Sequence, residues 1–134
     1  MNQIELRENG LHLVLEVTDE QDVRLLHFGA SALSEAVIRE EQKPGFRLME
    51  LQLTGEDRAE YHGRTHRASY PGLRMVYAGH TKGRNEFGRK LEIALRDPKT
   101  GLQAVQHLQF YDGVQLVRAW AELYNAGPEA VGIE

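Results

Sequence analysis

Six histidines, five tyrosines and twenty acidic side chains in 134 residues are the groups from which a site could be built. His62 and His66 stand four apart with Asp57 and Glu60 nearby, and on a helix such a pair could hold zinc. Gly63 and the turn-rich flanks oppose a helix, and no Glu follows His62 as the metalloprotease motif requires. The simpler reading is a polar surface loop whose histidines bond to neighbouring backbone. Glu56, Asp57 and Glu60 offer paired carboxylates of the kind that cleave glycosides. They crowd one loop, with nothing local to raise one pKa and leave another low, so they read as a solvated acidic turn. Ser31, Ser34 and Ser69 lie in no nucleophile elbow, and Gly79-His-Thr-Lys-Gly83 lacks the spacing of a phosphate loop. Tyr61, Tyr70 and Tyr77, with Arg64, Arg67 and Arg74, are the better lead. Their rings and guanidinium forks suit a sugar or a partner chain, although tyrosines also close sandwich edges. Trp120 lies mid-strand and reads as core.

The frame for these groups is one domain's worth of chain. Hydrophobic residues make up 41% and charged residues 27%, as in ordinary globular proteins. The net charge of -4 gives no concentrated positive surface, so neither nucleic acid nor an anionic membrane is an expected partner. No apolar run approaches the ~20 residues that span a bilayer. Without cysteine there is no disulfide framework, thiolate metal site or cysteine nucleophile. The opening MNQIELREN lacks the pattern of a signal peptide, and the expected location is the cytoplasm.

Short alternating segments separated by turn residues predict an all-β fold, an antiparallel two-layer β-sandwich. Gln3 to Glu8 and Leu11 to Val17 flank Asn9-Gly10, a strong hairpin signal, and Val23 to Phe28 completes a meander. Ala30 to Glu41 suits a short helix or an ordered loop equally, and Leu48 to Leu53 alternates as a fourth strand. Thr54 to Gly72 is irregular. Beyond it, strands are expected at Leu73 to His80, Lys90 to Asp97, Leu102 to Asp112 and Val114 to Asn125. Lys82 to Gly88 should be a polar loop, Asp112-Gly113 a type I′ turn, and Val131 the start of another strand. Apolar groups on both faces of Val114 to Asn125 predict a strand covered on both sides.

Several of these segments resemble bacterial α-galactosidases of glycoside hydrolase family 36. Tyr61-His62-Gly63-Arg64-Thr65-His66-Arg67-Ala68 is similar to that family's Tyr-Gly-x-x-Asp-Phe-Arg-x-Pro-Ala stretch. Arg89 to Asp97 resembles its Thr-Leu-Glu-Ile-x-Leu-x-Asp strand. Val117-Arg118-Ala119 through Leu123-Tyr124-Asn125-Ala126-Gly127 resembles its Ile-x-Arg-Ser-x-x-x-x-Asn-x-Gly strand and turn, and Leu25 to Gly29 its short strand ending in Tyr-x-Gly. Two departures stand out: Thr65-His66 replaces Asp-Phe, and the Pro-Arg-x-Asp-Arg loop has no match between Ala30 and Arg47.

The resemblance implies that residues 1–134 are a truncated N-terminal domain, the first part of a β-supersandwich of the galactose mutarotase-like kind. The family's catalytic aspartates lie in a downstream (β/α)8 barrel, so no catalytic, cofactor-binding or metal-binding residue is assigned here, and no cofactor is implied. Tyr61, His62, Arg64, His66 and Arg67 become candidate contacts to sugar or to the neighbouring barrel. The implied partners are that barrel, a galactoside bound by the parent chain, and further copies in a homo-oligomer. Two other readings stand beside this one. One is a stand-alone carbohydrate-binding β-sandwich module. The other is a mutarotase-like epimerase using His107 or His80 with Glu92, which rests on fold analogy alone.

Overall fold

The computed structural model describes residues 2–33, 47–56 and 70–133. Strands β1 (Asn2–Glu8), β2 (Leu11–Val17) and β3 (Val23–Gly29) form one antiparallel sheet in that order. After a helical turn, α1 (Tyr70–Arg74), strands β4 (Val76–Arg84), β5 (Arg89–Arg96), β6 (Leu102–Tyr111) and β7 (Val114–Asn125) form a second antiparallel sheet, again in chain order. The two sheets enclose a single apolar cluster, the two-layer arrangement that the alternation predicts. Its centre is built from Leu13 and Leu15 of β2, Leu91, Ile93 and Leu95 of β5, and Ala104, Leu108 and Phe110 of β6. Period-two spacing puts each set on one face of its strand, and burying that face is what holds the layers together. No helix among the described residues is long and apolar enough to cross a membrane.

The β1–β2 hairpin turns at Asn9 and Gly10, whose φ values of 52° and 80° are those that a type I′ turn demands. Asn9 also ties the two sheets together. Its Nδ2 donates to the Tyr111 carbonyl at 2.8 Å and its Oδ1 accepts from the Gly113 N–H at 3.0 Å. The Asp112-Gly113 turn differs from expectation. Gly113 has a φ of 77°, but Asp112 does not have positive φ, and the ladder shifts between Phe110 and Tyr111. The hairpin therefore closes with a bulge rather than a type I′ pair.

Other expectations need correction. Leu48 to Leu53 makes no ladder: residues 47–56 contribute only isolated bridges, Arg47 to Arg24 and Leu53 to Ile133. Met49 and Leu53 are buried all the same, so the alternation there marks burial without strand pairing. The Ile133 bridge is also all that the expected final strand makes among the described residues. Leu73 lies in α1, because Pro71 presets a helical φ and its missing N–H costs nothing in a first turn. The polar Lys82 to Arg84, expected as loop, continues β4 and pairs with Arg89 to Leu91. That end of β4 is exposed, so its composition imitates a loop. The turn itself is made by Asn85, whose Oδ1 accepts from the N–H groups of Phe87 and Gly88. Finally, β7 is the edge of its sheet and is mostly exposed, not covered on both sides. The stretch Ser34 to Glu41, weighed as a helix or a loop, lies outside the described residues.

Candidate functional site

Tyr61, His62, Arg64, His66 and Arg67 lie outside the described residues, as do Asp57 and Glu60. The structure does describe the two anchors of the 57–69 stretch, Glu56 before it and α1 after it. One side chain joins them. Arg74, closing α1, donates through Nη1 and Nη2 to the two carboxylate oxygens of Glu56 at 2.7 and 2.8 Å. Through Nε and Nη2 it also reaches Asp97 at 3.1 and 2.8 Å. Such a fork on two carboxylates is the geometry to which a guanidinium is suited and an ammonium is not.

Asp97 directly follows β5 and its side chain is fully buried. It also accepts from the Lys99 N–H at 2.9 Å and the Thr100 hydroxyl at 2.8 Å, which shapes the Asp97-to-Gly101 turn. Burial opposes its ionisation, but the hydrogen bonds from Arg74, Lys99 and Thr100 outweigh it and bring the carboxyl down to about 2. Glu56 is held below the usual carboxylate range, chiefly by Arg74 and then by Lys99, whose Nζ lies 2.9 Å away. The guanidinium in turn is driven well above its ordinary pKa, by Asp97 first and Glu56 second. Beside this clamp opens a cleft of about 410 Å³ lined by Gly55, Glu56, Tyr70, Leu73, Arg74 and Lys99. Tyr70 and Leu73 are each nearly half exposed on its wall.

A second cluster occupies the outer face of the four-stranded sheet. His107 of β6 pairs across the ladders with Glu92 of β5 on one side and Trp120 of β7 on the other. Its ring stacks on the Trp120 indole with centroids 4.8 Å apart and planes 3° from parallel. Nδ1 lies 3.5 Å from Glu92 and Nε2 lies 3.4 Å from Glu122. Arg118 and Lys90 sit over the same indole, 5.1 and 5.4 Å from its centroid. Trp120 is thus a partly exposed platform on the outer sheet face, not the core residue that its mid-strand position suggests. Glu92 is held below its ordinary value, first by its bond from Lys90. His80, the other histidine considered with Glu92, is instead bonded to the Tyr77 hydroxyl at 2.6 Å.

The two clusters hold their side chains in place by charge and by stacking. A glycosidase acid needs a carboxyl raised toward neutrality. Among the described residues every displaced carboxylate, at Glu5, Asp19, Glu56, Glu92 and Asp97, is displaced downward. No group of three or more His, Asp or Glu among them is placed to hold a metal ion. Sequence reasoning weighed Glu56 and Arg74 for other roles and missed their meeting at Asp97. The one available signal was Asp97-Pro98-Lys99-Thr100-Gly101, where an Asp before a turn often turns its carboxylate back onto the chain.

No protein-family profile matches the chain, and no curated protein sequence matches it. Solved structures do. The chain is similar to the GH36 alpha-galactosidase AgaA from Geobacillus stearothermophilus, with a TM-score of 0.65 and 15% identity, over 97% of this chain and 23% of that one. A doubly substituted variant of that enzyme in complex with stachyose gives a TM-score of 0.61 and 13% identity with the same coverage. At such identities the likeness is one of fold, and the chain spans about a quarter of the enzyme's length.

Proposed function

We propose that this chain serves as a non-catalytic β-sandwich domain of an α-galactosidase of the glycoside hydrolase family 36 kind. Its place is at the N-terminal side of a catalytic barrel, against which it packs and whose oligomer it helps to build. The observation that carries this reading is the extent of the structural likeness, nearly the whole chain matched to one part of a glycosidase. The ordered sequence motifs from Leu25 to Gly127 point the same way. The lowered carboxylates fit a positioning role. In the parent chain, hydrolysis would follow the retaining, two-carboxylate course, with both carboxylates supplied by the barrel. Tyr61, His62, Arg64, His66 and Arg67 would touch the barrel or the sugar at its rim. We place the parent chain in the cytoplasm.

The test begins with the coding sequence beyond Glu134. A continuing frame that encodes a barrel with two candidate aspartates supports the proposal, and a frame without one sinks it. The 134-residue chain should leave a chromogenic α-galactoside intact while the full parent cleaves it. Trp120, flat, partly exposed and flanked by Arg118 and Lys90, favours one alternative, a stand-alone carbohydrate-binding module. Titration with galactose and raffinose, followed by Trp120 fluorescence, should then saturate. A flat response at high sugar removes it.

A further inference from the structure

Four described strands lie at sheet edges: β1, β3, β4 and β7. An open edge invites pairing with another chain unless it is covered, charged, bent or interrupted. Three of the four are managed in these ways. The edge strand β1 carries Glu5, Arg7 and Glu8, and Lys82 Nζ reaches its Glu5 carbonyl at 3.2 Å. β3 is met by Arg47 opposite Arg24 and by the Leu48 N–H on the Val23 carbonyl at 2.9 Å. β4 holds two glycines and a register shift between Tyr77 and Gly79. β7 is different. It is the longest strand at 12 residues and has neither proline nor glycine, and its ladder with β6 runs unshifted from Val117 to Asn125. Val114, Leu116 and Tyr124 are each about half exposed along it.

Its sequence is also complementary to itself. Read outward from Trp120, the flanking pairs are Ala119 and Ala121, Arg118 and Glu122, Val117 and Leu123, Leu116 and Tyr124. We infer that β7 pairs antiparallel with β7 of a second copy about a two-fold axis at Trp120, joining two four-stranded sheets into one of eight. An axis perpendicular to the sheet keeps each face on its own side. The core faces, with Val117, Ala119, Ala121 and Leu123, therefore run on continuously, as do the outer faces with Leu116, Arg118, Trp120, Glu122 and Tyr124.

Parity selects the register. A shift of one residue in the pairing would set the apolar face of one copy against the charged face of the other. Among the shifts that keep faces matched, centring on Arg118 or Glu122 puts like charges opposite each other. Centring on Ala119 or Ala121 leaves both charges without an opposite partner. Centring on Trp120 places Arg118 opposite Glu122 twice, an arrangement that stabilises a sheet. Arg118 makes no ion pair within its own copy among the described residues, and Glu122 is half exposed. The occupant is thus a second copy of this chain. The inference goes beyond the glycosidase reading and holds or fails independently of it.

Sedimentation of the 134-residue chain should show a concentration-dependent dimer. A monomer at every concentration overturns the inference and makes Arg118 and Glu122 charges that guard the edge. Arg118→Glu and Glu122→Arg should each weaken the dimer about tenfold or more, since each creates two like-charge pairs. The double exchange should restore it. A dimer indifferent to the single changes, or one that the double exchange does not rescue, refutes the register. As a second readout, Trp120→Cys should form a disulfide dimer through paired positions ~5 Å apart. Leu116→Cys should not, because its two copies would stand about 27 Å apart. The chain has no cysteine of its own to confuse the result. Cross-linking at Leu116→Cys but not at Trp120→Cys likewise refutes the register.

Discussion

Replacing Arg74 by methionine removes the charge and the fork while keeping most of the apolar stem, and it isolates the clamp at the ends of residues 57–69. In the intact protein Asp97 is fully buried and its carboxyl stands at about 2 instead of 3.8. A carboxyl lowered that far contributes about 2 kcal/mol at neutral pH. Because its folded pKa lies below its unfolded one, that contribution is complete above the unfolded value. It declines as pH falls below 3.8 and is gone once pH passes below about 2. In Arg74→Met the bonds from Lys99 and Thr100 remain, but burial is no longer opposed by a cation, and Glu56 loses its main partner too. The expected cost at pH 7 is about 2 to 4 kcal/mol, since removing one partner leaves a buried charge uncompensated. Urea unfolding followed by far-ultraviolet circular dichroism, repeated from pH 7 to pH 2, measures both quantities. The variant should be less stable at pH 7, and the two proteins should converge as acid protonates Asp97 and Glu56. A variant within 0.5 kcal/mol of the parent at pH 7, or a gap that stays constant down to pH 2, would refute the reasoning.

Substitutions at three further positions test other joints of the fold. Asn9→Ala removes both bonds that bind the two hairpin turns and puts alanine at a φ of 52°, so it should cost about 2 kcal/mol in a denaturant melt. Asn9→Gly, which relieves only the backbone, should recover a part of that loss. A Cβ on Gly88 would stand 2.8 Å from the Phe110 carbonyl oxygen at a φ of 152°, and Gly88→Ala should lower stability by roughly 2 kcal/mol or more. A melting temperature equal to that of the parent would show that the turn yields freely. Gln109 is buried, with Nε2 donating to the Phe110 carbonyl at 2.7 Å and Oε1 accepting from Asn85 Nδ2, also at 2.7 Å. Gln109→Leu should therefore cost about 2 kcal/mol and speed amide exchange in the Asn85-to-Gly88 turn, whereas unchanged exchange would count against the role given to Gln109.

Local signals made much of the fold legible. Leu13 and Leu15, then Leu91, Ile93 and Leu95, alternate because one face of each strand meets the core. Asn9-Gly10 was readable because few residues adopt its backbone angles. The same rules misled wherever local pattern and surroundings part company. Leu48 to Leu53 alternates because Met49 and Leu53 are buried, yet among the described residues it forms no ladder with any strand. Lys82 to Arg84 is the end of a strand whose exposure gives it a loop's composition. The resemblance to a glycosidase domain was legible in scattered motifs, and the shared fold agrees with it.

What the sequence determined by itself is the set of faces: which residues of each strand turn inward, where hairpins reverse, and that β7 mirrors its own chemistry about Trp120. These follow from backbone sterics and the two-residue period, both of which act over a few neighbours. Only the tertiary structure decided that Glu56, Arg74 and Asp97 form one charged clamp, that Trp120 stacks on His107 at the surface, and that β7 is an edge. Each of those depends on which strand becomes whose neighbour. That choice is set by the burial of all the apolar faces together, so no local stretch of sequence carries it.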